Sequence, residues 1–254
     1  MGKRIAVMNQ KGGVGKTTTA VNLAACLAEC GKRVLLVDAD AQGNATSGIG
    51  IDKERVKVSV YDVLINQTPA RKAIRPARPE GLDVLPATIA LAGAEVELVT
   101  LPQREERMRQ ALADVTDEYD YIFIDCPPSL GLLTVNVLVA ADAVLIPIQA
   151  EYYALEGVAQ LLQTIRSVAH EWNPRLGVEG VLLTMYDGRT NLALQVADEV
   201  KKYFREKVYR TMIPRNVRLS EAPSYGEPII IYDSRSKGAE VYRRLAQEVL
   251  AHDA

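Results

Sequence analysis

The sequence is poor in the residues that most metal and redox chemistry requires. Among 254 residues there are 2 histidines and 3 cysteines. Cys26, Cys30 and Cys126 fit neither a disulfide framework nor a zinc pattern. Cys26 and Cys30 stand four apart on an apolar segment and are expected as small core residues. His170 and His252 are far apart in the chain and are expected at the surface, which argues against a histidine-based zinc site. Long apolar runs are missing too: nothing reaches the ~18 residues of a membrane span. The N-terminus, MGKRIAVMN, has no signal-peptide pattern, and Ala6 stands where a myristoylation motif needs Ser or Thr. The expected location is the cytoplasm. Excess charge is also lacking. With 30 basic and 32 acidic residues the net charge is −2, which excludes a uniformly basic nucleic-acid binder, so any such contact must come from a local patch.

What the sequence does have is alternation. Apolar runs at Arg4–Asn9, Val34–Asp38, Leu82–Pro86, Tyr121–Asp125, Ala143–Ile148, Gly180–Tyr186 and Val208–Ile213 read as strands. Helical patterns fall near Lys16–Cys30, Glu105–Thr116, Leu132–Ala140, Leu155–His170, Asn191–Phe204 and Lys237–Ala251. Segments such as YIFID and AVLIPI are apolar throughout, as strands buried on both faces are. The expectation from alternation is an α/β fold, a mostly parallel twisted sheet with helices on both faces; the glycine-rich stretch KGGVGKTT after the first strand makes it the P-loop NTPase type. With no internal repeat, low-complexity tract or linker in view, residues 1–254 are expected to form one domain.

The first strand runs into KGGVGKTT and then a helix, the context a phosphate loop needs. Glycines let backbone N–H groups curl around an anion, and the helix N-terminus adds a favourable dipole. Gly12, Gly13, Val14, Gly15, Lys16, Thr17 and Thr18 are the candidate phosphate-binding residues. Lys16 is placed to reach the β- and γ-phosphates and the Thr17 hydroxyl to ligate Mg²⁺. The ordinary pattern G-x-x-x-x-G-K-[ST] is not met, because its first glycine falls at Gln10 and a second lysine, Lys11, follows. VLLVDADAQGN places Asp38 and Asp40 at a strand end, and YIFIDCPPS does the same for Asp125. Each could merely cap a turn; downstream of a phosphate loop, three such aspartates point to a nucleotide–metal site.

KGGVGKTT is the deviant Walker A motif, and with it the sequence resembles the ParA/MinD/nitrogenase iron protein group of ATPases. The likeness covers essentially the whole chain. CPPSLGLLTVNVL, EYYALEG and IPRNVRLSEAPSYGEPIIIYDSRSKGAEVY look like the Soj-type, chromosomal ParA branch. The resemblance implies ATP and Mg²⁺ as ligands and an ATP-dependent homodimer in which Lys11 crosses to the partner's phosphates. It implies that Asp40 orients or activates the attacking water, that Asp125 holds Mg²⁺ through water, and that Asp38 sits near the metal behind them. Pro214 and Asn216 are the implied adenine contacts. One departure stands out: the family usually has proline after Asp40, and here the residue is Ala41, which leaves the loop less constrained.

Between Arg189 and Arg218 eight basic residues oppose three acidic ones, a local +5. On Asn191–Phe204 an apolar stripe of Ala193, Val196, Ala197, Val200 and Phe204 leaves Lys201, Lys202 and Arg205 on another face, diluted by Asp198. Charge alone fits a solvated helix as well as a binding surface. The resemblance, which implies nonspecific double-stranded DNA binding by the ATP-bound dimer, favours DNA, with Arg189, Lys201, Lys202, Arg205 and Arg218 as its contacts. It also implies a ParB-type centromere-binding partner, weak hydrolysis and association with the nucleoid. No helix-turn-helix precedes the first strand, so sequence-specific readout is not expected.

The sibling functions fit less well. Cys26 and Cys30 lie inside the helix after the phosphate loop, and Cys126 alone cannot supply the cysteine pair of a shared iron–sulfur cluster. A MinD-like membrane-surface ATPase remains the alternative, but the tail AEVYRRLAQEVLAHDA reads as a core stripe of Val241, Leu245, Val249 and Leu250 with only Arg243 and Arg244 basic. Stable membrane association is not expected. A metabolic ATP-dependent enzyme would need a dedicated small-molecule constellation, and none is evident.

Overall fold

The computed structural model describes residues 2–151 and 156–253. Seven strands form: β1 (Lys3–Val7), β2 (Val34–Asp38), β3 (Arg75–Pro76), β4 (Leu82–Leu85), β5 (Tyr121–Asp125), β6 (Ala143–Gln149) and β7 (Gly177–Thr184). They make one sheet in the order β3-β4-β2-β5-β1-β6-β7. All neighbours pair in parallel except β3, which runs antiparallel to β4 at the edge. The chain leaves β1 to build one side of the sheet and returns to the other side through β6. The C-terminal end of β1 is therefore a topological switch point, where such sheets bind ligands.

The helices in the first half are α1 (Lys16–Glu29), α2 (Asn44–Gly48), α3 (Val60–Leu64), α4 (Ala70–Ala73), α5 (Leu91–Leu98) and α6 (Arg107–Ala113). The second half adds α7 (Leu132–Ala140), α8 (Glu156–Glu171), α9 (Asn191–Phe204), α10 (Val217–Glu221), α11 (Ile229–Tyr232) and α12 (Lys237–His252). Successive strand residues point to opposite faces, so each strand feeds two cores. Ile5, Val7, Leu36 and Phe123 pack with α1 and α12. Ala6, Leu35, Ile124 and Ile146 pack with α6, α7, α8 and α9. α1 is apolar on most of its circumference and correspondingly buried. Its few polar side chains are anchors: Thr19 Oγ1 meets Tyr242 Oη of α12 at 3.2 Å, and Asn22 Oδ1 accepts the Ile229 N–H of α11 at 2.7 Å.

Several elements differ from the sequence expectation. The segment Val208–Ile213 is not a ladder strand; it lies beside β7 through an isolated bridge at Val181 and two N–H bonds, from Tyr209 and Ile213. Between those bonds the Glu248 carboxylate of α12 accepts the N–H groups of Arg210 and Thr211 at 2.6 and 3.0 Å, so they are diverted from the sheet. β7 begins three residues earlier than Gly180 and ends at Thr184, because Met185 turns into the left-handed region (φ 49°). Cys26 is fully buried, and burial pushes its thiol up to about 12, but Cys30 is exposed at the end of α1, where the helix leaves the core. The start of the expected helix at Leu155 and most of EYYALEG lie outside the described residues. Among the described residues no helix is long and apolar enough to cross a membrane.

Candidate active site

The loop between β1 and α1 turns through two glycines in the left-handed region, Gly13 (φ 74°) and Gly15 (φ 84°). A side chain at either would be strained. Helix α1 starts directly after Gly15 with no side-chain cap, so its leading N–H groups are left for a ligand. The Lys16 side chain folds back over its own loop and donates to the Lys11 carbonyl at 3.2 Å. Burial lowers its pKa, and the nearby Asp125 carboxylate opposes that. Lys11 goes elsewhere: its ammonium pairs with Glu151 at 3.0 Å, with both side chains partly exposed.

Strand register assembles the carboxylates. Val7 of β1 and Asp38 of β2 both lie level with Asp125 of β5. Asp38 and Asp125 are thus neighbours, each fully buried, with very different surroundings. Asp38 accepts from Thr46 N and Thr46 Oγ1, both at 2.7 Å, and from Asp40 N at 3.2 Å. Burial nonetheless pushes its carboxyl up to about 6. Asp125 has no hydrogen-bond partner on either oxygen. Burial and then the Asp38 charge hold it well above the carboxylate range, while the Thr17 hydroxyl and Lys16 act against that. A buried carboxylate without partners, beside a threonine hydroxyl and a phosphate loop, fits Mg²⁺ held through water. Among the described residues there is no cluster of His, Cys, Asp or Glu that would form a protein-only metal cage.

Asp40 stands at the mouth of the cleft. Its Oδ1 accepts from Gln42 N and its carbonyl from Gly43 N, both at 2.9 Å, and Gly43 adopts a φ of 62°. These bonds constrain the turn that Ala41, in place of proline, leaves free. Thr46 and Glu151 were not singled out from sequence. Their partners lie 8 and 140 residues away, and a Thr or Glu in those local contexts carries no distinguishing pattern.

Two cavities meet at the loop. One of about 520 Å³ is lined by Gly12, Gly13, Gly15, Lys16, Thr17 and Asp40, with Pro128 also in its wall. The other, about 290 Å³, has Pro214, Asn216 and Ile213 in its wall. Met185 and Gly15 border both, so the pair can take a phosphate chain and a base in sequence. Asn216 is partly committed: its Oδ1 accepts from Leu219 N at 3.3 Å and caps α10.

The five basic residues expected to meet DNA fall into two groups. The bridge between Tyr186 and Pro214 sets the Arg189 loop beside the Arg215–Arg218 segment. Lys201, Lys202 and Arg205 sit at the far end of α9, about 15–20 Å from its start. Arg189 is held by Asp187 through two bonds of 2.8 and 2.7 Å, and Arg218 by Glu221 at 3.0 Å with Asp233 at 3.5 Å. Asp187 and Glu221 lie just outside the window in which the charge was counted, so the local excess is smaller than +5 at both ends. Lys201, Lys202 and Arg205 are exposed and form no ion pair among the described residues.

A glycine-rich loop at the switch point, one lysine folded over it and an unpartnered Asp beside Thr17 define a P-loop ATPase that works with ATP and Mg²⁺. The comparisons narrow this. The AAA domain family matches residues 2–178. The chain is 65% identical over 252 residues to the sporulation initiation inhibitor protein Soj of Bacillus subtilis, covering 99% of this chain and 100% of that one. It is 55% identical to the chromosome partitioning protein ParA of Myxococcus xanthus, covering 100% and 89%. The crystal structure of cobyrinic acid a,c-diamide synthase from Mycobacterium smegmatis, with bound ADP and magnesium, superposes with a TM-score of 0.87 at 41% identity, covering 99% and 95%. The chain belongs to the ParA/Soj family of chromosome-partitioning ATPases.

Proposed function

We propose that residues 1–254 act as one unit, a nucleotide-switched dimer that binds DNA without sequence preference while ATP is bound. The observation that carries this is the divergence of the two lysines. Lys16 folds over its own loop and bonds its backbone, whereas the Lys11 ammonium bonds Glu151, just beyond β6. An exposed ion pair of this kind is weak, so Lys11 can leave Glu151 for a stronger anion on a second protomer. A cation reaching the γ-phosphate across an interface makes closure depend on nucleotide state and supports the charge that develops during transfer.

Within one protomer, the N–H groups of the loop and Lys16 hold the phosphate chain. Mg²⁺, when bound, neutralises phosphate charge; Thr17 would hold it directly, Asp125 through water, and Asp38 would stay behind as a brace for the Asp40 turn. Asp40 orients the attacking water from the mouth of the cleft. Pro214 and Asn216 line the base. Closure brings two sets of Arg189, Lys201, Lys202, Arg205 and Arg218 into one track, so that more phosphates are contacted and affinity falls steeply with salt. Hydrolysis, weak alone and stimulated by a ParB-type partner, opens the dimer and releases the DNA. The expected setting is the nucleoid in the cytoplasm, without stable membrane association.

The deciding measurement is DNA binding at two salt concentrations with no nucleotide, ADP or ATP, for the wild type and Lys11→Ala. Binding with ATP alone, lost in the variant and at high salt, is expected. Binding that ignores nucleotide would remove the switch. The 41% identical relative is named a diamide synthase, so a metabolic ATP-dependent enzyme is the second reading. ATP turnover indifferent to DNA and to protein partners would favour it, and ATP-dependent pelleting with liposomes would instead favour a MinD-like role.

A further inference from the structure

The phosphate loop is tied to two strands that do not carry it. Asn9, just beyond β1, is buried and donates from Nδ2 to the Pro147 carbonyl of β6 at 2.7 Å. Its Oδ1 accepts the Lys11 N–H at 3.0 Å, which fixes the entry to the loop. Thr184, the last residue of β7, is also buried and donates from Oγ1 to the Val14 carbonyl at 2.8 Å, which fixes the middle. The Thr184 methyl lies opposite Gly15, 3.8 Å from where a Cβ would stand, so the same side chain limits how far the loop can sag.

These bonds do two things. The Val14 carbonyl is engaged by the Thr184 hydroxyl, and Val14 lines neither cavity, so its partial negative charge is committed to the protein and not to an incoming phosphate. The Lys11 N–H is used up, which leaves the N–H groups beyond it to face the ligand. Both ties are made to the protein's own strands, and neither calls on an atom of a nucleotide. The geometry points to Asn9 and Thr184 as positioning residues that preshape the phosphate loop before any base is bound. Thr184 has a second consequence. It is followed by Met185 in the left-handed region, and Met185 borders both the base cavity and the phosphate cavity. The end of β7 therefore joins loop shape to the base wall.

This rests on the ATPase reading, and the test separates the two. Equilibrium binding of Mg-ATP, and its competition by inorganic tripolyphosphate, is measured for wild type, Thr184→Val, Thr184→Ser and Asn9→Ala, with the melting midpoint of each nucleotide-free protein. Valine keeps the volume and removes the donor; serine keeps the donor. A preshaped loop lets tripolyphosphate alone compete with ATP in the wild type. Thr184→Val and Asn9→Ala then weaken ATP and tripolyphosphate alike, by about tenfold for the one bond lost at Thr184 and by at least about that much for the two lost at Asn9, and serine at position 184 restores affinity to within about twofold. Failure of tripolyphosphate to compete in the wild type overturns the inference. So does Thr184→Val binding as the wild type does, or losing ATP while keeping tripolyphosphate, which would assign Thr184 to the base. A lower melting midpoint with unchanged affinity would reduce both residues to structural roles. A wild type that binds no ATP would overturn the ATPase reading itself.

Discussion

At the scale of single residues, two aspartates in register show how partners decide the meaning of a buried charge. Asp38 has three hydrogen bonds and Asp125 none. Both carboxyls titrate above their ordinary range, chiefly through burial. A carboxyl raised in the folded state contributes stability that is present below its unfolded pKa and lost as pH rises through the folded one. For Asp38 the window runs from 3.8 to about 6, on the order of 3 kcal/mol for the isolated group. Carboxylates held low by arginine, such as Asp142 and Asp120, lose their contribution only at more acid pH and do not offset this between pH 5.5 and 8. Protein free of nucleotide and Mg²⁺ is therefore expected to melt at a higher temperature at pH 5.5 than at pH 8. Asp125→Asn should raise the pH 8 midpoint by about 3 °C, on the order of 1 kcal/mol, and flatten the dependence on pH. The same change should cut Mg²⁺-dependent hydrolysis at least about a hundredfold. Asp38→Asn has the opposite effect on the midpoint, because an amide that keeps its carbonyl on the two Thr46 donors turns its NH₂ onto the Asp40 N–H. A scan showing both variants destabilised equally at pH 8 would refute this account.

At the scale of elements, α9, the loop before it and the start of α10 carry the proposed DNA surface, and their ion pairs change the weight of each residue in it. Arg189 is chelated by Asp187, whose carboxyl is held down to about 2 chiefly by the Arg189 side chain. Phosphate must compete with Asp187 for it, whereas Lys201 and Lys202 are unengaged among the described residues. Lys201→Glu with Lys202→Glu is expected to reduce the slope of log affinity against log salt by about 2 per protomer, and Arg189→Glu by less. Asp187→Asn should tighten ATP-dependent DNA binding, by freeing Arg189 and removing a like charge. A salt titration with unchanged slopes would move the DNA surface off this helix. Sequence reading reached the phosphate loop, the three strand-end aspartates and the apolar stripe of α9, because each is announced by local spacing. It did not reach what one side chain does to a distant backbone. Glu248 draws Arg210 and Thr211 off the sheet from 38 and 37 residues away. Thr184 holds Val14 from 170 residues away. Nor does periodicity say where a helix outruns the core, which is why Cys30 turns out exposed.

At the scale of the whole molecule, the proposed switch means that one protomer lacks a complete catalytic set. Lys16, Thr17 and Asp40 line one cavity, Asp125 interacts with Thr17 and Lys16 from the end of β5, and the Lys11 ammonium goes to Glu151 instead. If Lys11 acts on the partner's phosphate, defects in Lys11 and in Asp40 belong to different halves of each site and can be repaired by mixing. A Lys11→Ala protomer still offers an intact Asp40, and it keeps the backbone carbonyl that holds Lys16. An Asp40→Ala protomer still offers Lys11. In the mixed dimer one site of the two has everything and the other has neither. Random assembly of equal amounts makes half the dimers mixed, and the missing lysine weakens closure of some pairs, so up to about a quarter of wild-type turnover should return, while each variant alone stays near background. Dilution of the mixture should lower turnover per protomer, because the working species is second order in protein. Separate monomeric sites predict no recovery at any ratio. A Lys11 that serves its own phosphates predicts the same flat result, so recovery upon mixing singles out the crossing lysine.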